Sequence, residues 1–87
     1  MVTGVINVEA LGLSDIYLKM TDEHRYQACI KVLEQALKSI DMTNEIEVKK
    51  EYVNKLLEKS IQYYVKEEEY ESAQLLADLQ DVLNQKY

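Results

Sequence analysis

The stretch YYVKEEEYESAQLL, Tyr63–Leu76, decides the fold. Two tyrosines close one apolar stripe, Lys66 and the run Glu67, Glu68, Glu69 follow, and an apolar pattern restarts at Tyr70, Ala73, Leu75 and Leu76. Adjacent carboxylates are too costly to bury together, so the glutamates must lie in water. A wet run between two apolar stripes predicts a reversal. The chain is therefore expected to form a long antiparallel helical hairpin, about 44–66 and 69–85.

Upstream of the bend, Asn44 with Glu47 reads as a capping box opening the first arm of the hairpin. Ile46, Val53, Leu56, Leu57, Ile61 and Tyr64 recur at three- and four-residue spacing and form its core stripe, with the small Ser60 inside it. Glu47, Glu51, Asn54, Lys55, Glu58 and Gln62 form the wet face. Downstream, at about 100° per residue, Val82, Leu75, Leu79, Leu83, Leu76 and Ala73 spread over roughly half the circumference. Ala77 and Tyr70 widen that surface. A helix this broadly apolar needs two neighbours, either two helices of its own chain or one from another subunit.

A further helix is predicted at about 21–40, with Tyr26, Cys29, Ile30, Leu33, Ala36, Leu37 and Ile40 on its inner face. Thr21 is its N-cap, and Asp22 and Glu23 favour the positive end of its dipole. In residues 1–20, Asn7 is placed to cap a single turn closed by Gly12, and Ser14 a second short helix; an extended arm using Val5, Ile6 and Val8 is the alternative. Ile6, Leu11, Leu13, Ile16, Leu18 and Met20 are too much apolar surface to stay loose. This arm is expected to cover an end of the hairpin or to reach a partner. The whole reads as one all-α domain, a small three-helix unit preceded by a short irregular or helical arm.

Composition narrows the available work. A chain of 87 residues with 47% hydrophobic and 30% charged residues folds rather than staying disordered. Its net charge of −6, with Arg25 the lone arginine, argues against nucleic acid as a partner. Cys29, the single cysteine, cannot form an internal disulfide and suits a reducing cytoplasm. No apolar run approaches the about 20 residues of a membrane span, and no signal-peptide pattern opens the chain. An aromatic set made wholly of seven tyrosines, with lysine preferred to arginine, matches an AT-rich genome. A low-GC bacterium, or one of its phages acting in the host cytoplasm, is the expected source.

Chemistry-bearing residues are few. Glu67, Glu68, Glu69 and Glu71 point in different directions and have no histidine at bundle-metal spacing, so they read as a solvated turn and no metal is expected. His24 lacks an orienting carboxylate on its own face, and Cys29 lies on a core stripe. No catalytic residue and no cofactor are expected. Tyrosines at the margin of a core commonly edge a protein interface, which singles out Tyr52, Tyr63 and Tyr70 together with Leu75, Leu79 and Val82 on the broad third helix. The alternative is a nucleotide-like ligand at a subunit junction, stacked on Tyr52 or Tyr63 with Lys49 or Lys59 at its phosphate.

The spacing of Tyr70, Glu71, Ala73, Leu76 and Asp78 resembles the UVR motif, a helical hairpin through which excision-repair subunits and some stress regulators bind partners. Gln74 and Ala77 stand where that motif carries its second Ala and its Arg. Tyr64, Tyr70 and Ala73 are also similar to the turn of a tetratricopeptide repeat, with Glu68 in place of the small turn residue. Both resemblances imply a hairpin that binds proteins. The expected function is thus a small non-enzymatic protein-binding module, an oligomeric adaptor or inhibitor.

Overall fold

The computed structural model describes residues 4–13, 16–41 and 44–87. Its three helices are α1, Asp22–Ser39, α2, Ile46–Lys66, and α3, Tyr70–Lys86, preceded by two 3-10 turns at Val8–Leu11 and Tyr17–Lys19. No strand occurs among the described residues. The all-α hairpin read from the sequence is present, and its bounds fall within a residue or two of those expected.

Local chemistry explains most of the boundaries. Thr21 accepts a hydrogen bond from the His24 amide at 3.2 Å and starts α1. Asn7 accepts one from the Glu9 amide, and Gly12, at φ 72°, closes that first turn as expected. The start of α2 differs: the N-cap is Glu45 and its side chain makes no capping bond, so the Asn44–Glu47 box does not form. The expected Ser14 cap lies outside the described residues.

At the bend, the Glu68 amide donates to the Val65 carbonyl and the Glu69 amide to the Tyr64 carbonyl, at 3.0 and 2.8 Å. This paired pattern ends α2 with a left-handed residue, and that residue is Glu68, at φ 61°. A position that normally takes glycine is thus filled by a side chain. Glu67, Glu68, Glu69 and Glu71 are all exposed.

α3 lies against both other helices, most extensively against α2. Leu75, Leu76, Leu79 and Leu83 are no more than 1% exposed, and Leu33, Leu57 and Cys29 meet them in one core. The arm adds a third covering for α3, with Val8 and Tyr17 each only 2% exposed. Side chains of α2 hold it in place. Ser60 accepts from the Ile6 amide at 2.9 Å while donating to the Leu56 carbonyl; the Tyr64 hydroxyl donates to the Ile6 carbonyl at 2.7 Å and accepts from the Val8 amide. A small polar residue inside an apolar stripe is explained by this strap.

Three residues assigned from periodicity sit elsewhere. Tyr26 and Ile46, expected in the core, are 42% and 47% exposed; each lies in the first turns of its helix, and Tyr26 borders an open concavity beside Val82 and Gln85 of α3 rather than filling the core. Asn54, expected in water, has its side-chain oxygen buried without a hydrogen-bond partner.

Candidate functional site

α1 and α2 both pack on α3 but make the smallest contact with each other. An apolar trough of about 200 Å³ separates them. Buried Leu33, Leu57 and Leu79 form its floor, Val32, Ala36 and Ile40 one wall, and Tyr52, Val53 and Leu56 the other. The arm contributes Ile6 and Leu11. Ser39 is the one polar lining residue besides the Tyr52 hydroxyl.

A second concavity of about 480 Å³ continues along the same flank of α1 and shares Leu11 and Val32 with the first. It is lined further by Leu13, Met20 and Ala28, with His24, Gln27, Lys31 and Gln35 as polar groups. Together the two follow α1 from His24 to Ile40, about 24 Å at the helical rise of about 1.5 Å per residue. Most of the trough wall is helix, whose backbone groups bond within the helix, and the Ile6 amide and carbonyl are taken by Ser60 and Tyr64. Such walls bind shape and apolar surface.

The trough was partly readable. Ala28, Val32 and Ala36 recur every four residues on one flank of α1, beside the stripe that holds Cys29 and Leu33. Ala36 and Ile40 belong to the stripe expected to face the core, whereas Ala28 and Val32 lie just outside it. An apolar flank made of alanines and one valine looks like the edge of a core until the neighbouring helix is seen to stand away from it.

Of the tyrosines and lysines singled out from sequence, all but Tyr70 fall on one flank of α2, where Lys49, Tyr52, Leu56, Lys59 and Tyr63 follow at three- and four-residue steps. Tyr52, 49% exposed, stands at the lip of the trough. Tyr63 is half-buried and meets Tyr64 edge to face, with ring centroids 5.2 Å apart. Tyr70, 63% exposed, lies apart from them at the start of α3. Leu75, Leu79 and Val82, expected as contact residues, are buried inside the chain at 1%, 1% and 7% exposure. The width of α3 is used up by α1, α2 and the arm, which is the intrachain outcome of the two open readings.

Within that flank Lys49 precedes Tyr52 by three residues and Lys59 precedes Tyr63 by four, so each tyrosine has one lysine beside it, and the two pairs stand about 15 Å apart along the helix. Lys59 also lies beside Gly4 of the arm, where an added β-carbon would come within 2.8 Å of its Nζ.

A second constellation joins the arm to α1 and α3. The Tyr17 hydroxyl donates to Asp78 Oδ2 at 2.5 Å and lies 3.5 Å from Cys29 Sγ, while Gln74 donates to the other Asp78 oxygen at 2.9 Å. Arg25, paired with Asp22, stands 6.0 Å from the Tyr17 ring centroid. With its one proton committed to Asp78, the Tyr17 oxygen accepts from the Cys29 thiol. Burial, then the bond to Asp78, pushes the Tyr17 hydroxyl well above the ordinary tyrosine range. Burial likewise pushes the Cys29 thiol up. A thiol held protonated is a poor nucleophile, so the cluster serves to anchor the arm.

No described helix is long and apolar enough to cross a membrane. No known protein family model, curated protein or solved structure matches the chain.

Proposed function

We propose that this chain is a small non-enzymatic protein-binding module that receives an apolar segment of another protein in the trough between α1 and α2. The carrying observation is the trough itself, an apolar channel lined by Val32, Ala36, Tyr52 and Leu56 after the broad face of α3 has been covered internally. Burying such a surface is the main favourable term in most protein association. Exposed Ile46 and Val48, in the first turns of α2, enlarge the apolar area near Tyr52. An adaptor or an inhibitor of a cellular factor, host-derived if the gene is phage-borne, uses such a surface in the same way. Self-association is a weaker reading, because the residues that suggested it are now accounted for inside one chain.

Photo-crosslinking from single positions in cells that produce the protein tests this. A photoreactive residue at Gln35 or Tyr52 should capture the same discrete protein, and one at Glu71 should not. Equal capture from all three positions, or none from Gln35 and Tyr52, overturns the reading.

A further inference from the structure

The charge around the trough runs against that of the chain as a whole. Acidic residues outnumber basic ones by 16 to 10, yet no Asp or Glu lines the trough among the described residues. Lys31 and His24 do line it. At about 100° per residue, Glu23 and Glu34 project to the side of α1 opposite Val32, and Glu47, Glu51 and Glu58 to the side of α2 away from Leu56. Lys49 and Lys59 share the Leu56 side. Among the described residues, Lys31, Lys49 and Lys59 make no ion pair, whereas Lys55, which points away, is paired with Glu51 at 3.2 Å.

The occupant's backbone is constrained as well. An extended peptide laid between two helices would bury amides and carbonyls with nothing to bond, while a helix satisfies its own. A length of about 24 Å takes roughly four turns of helix.

We infer that the partner segment is an amphipathic helix of another protein, apolar at i, i+3, i+4 and i+7, with carboxylates on the flanks of that stripe facing Lys31, Lys49 and Lys59. This rests on the trough being a docking site and adds the partner's chemistry. Solvent-exposed rim ion pairs are individually weak, and three of them together amount to a preference on the order of tenfold for an acidic over a basic helix.

The test uses two designed, fluorescein-labelled helical peptides with one leucine stripe, flanked by Glu in one and by Lys in the other, titrated with the full chain. The Glu-flanked peptide should bind about tenfold tighter, and raising the salt from ~50 to ~500 mM should erase most of that margin. Lys31→Glu with Lys49→Glu should reverse the preference, with circular dichroism confirming the fold. Gln35→Glu, on the solvent edge of the trough, should lower affinity for the Glu-flanked peptide while sparing the fold. Equal binding of both peptides, or tighter binding of the Lys-flanked one, overturns the inference about charge while leaving a docking trough in place. Binding of neither peptide, with crosslinks from Gln35 and Tyr52 also absent, removes both. Dimerisation in sedimentation that Gln35→Glu abolishes would make a second copy the occupant and overturn the proposed partner.

Discussion

Tyr17 shows how much one side chain decides here. From sequence it is a ring near the end of a short arm; in the structure it is 2% exposed and bonded to Asp78 and Cys29. The link is legible only in three dimensions, because Asp78 lies on what reads as the polar strip of α3. Tyr17→Phe removes the donor to Asp78 and should cost about 1–3 kcal/mol at neutral pH, as measured by urea unfolding. The pH dependence has a definite sign. In the unfolded chain Tyr17 releases its proton near pH 10, while the folded chain keeps it. The contribution is therefore complete below about pH 10 and lost above it, and the gap between wild type and Tyr17→Phe should narrow as pH rises past that value. Glu68 carries a different local cost. A left-handed non-glycine residue is disfavoured by roughly 1–2 kcal/mol, so Glu68→Gly should raise stability by about 1 kcal/mol after its greater unfolded-state entropy is counted.

Among the elements, the three long helices were legible, and of the arm only the first turn, capped by Asn7 and closed by Gly12. Stripes such as Cys29, Leu33, Leu37 and Val53, Leu57, Tyr64 repeat over several turns, and burial follows them directly. The arm has no period. Its position is set by Ser60 and Tyr64, which bond to the backbone of Ile6 and Val8, and nothing in the spacing of residues 4–13 announces those partners. Ser60 was the available signal, a hydroxyl at 0% exposure in an apolar stripe that needed a bonding partner. Tyr64→Phe together with Ser60→Ala should leave helix content unchanged yet loosen the arm. Amide hydrogen exchange checks this: exchange at Ile6 and Val8 should accelerate by about tenfold or more, as expected for losing about 1.5 kcal/mol or more of local protection, while Leu57 and Leu79 stay protected. Unchanged protection at Ile6 and Val8 would show that apolar packing alone holds the arm.

At the scale of the molecule, a slab of 34 × 32 × 19 Å has little depth, about two helix diameters, so every element borders the surface somewhere. The broad face of α3 suggested an interface, and the structure places that face at the centre instead. What a wide apolar helix implies is a number of neighbours, and here the arm supplies the third. The trough arises from how α1 and α2 both pack on α3 while barely meeting each other, which no single helix encodes. Part of its charge pattern was present in the sequence, in the placement of Glu47, Glu51 and Glu58 across α2 from Lys49 and Lys59.

The most direct test of the trough as the binding face is an amide NMR titration of the labelled chain with the Glu-flanked leucine-stripe helix. Shifts concentrated at Ala28, Val32, Ala36, Ser39, Tyr52 and Leu56, with smaller ones at Ile6 and Leu11, are the predicted result. Shifts confined to the outer face of α3, around Asp81 and Gln85, or a spectrum unchanged at millimolar peptide, would contradict it.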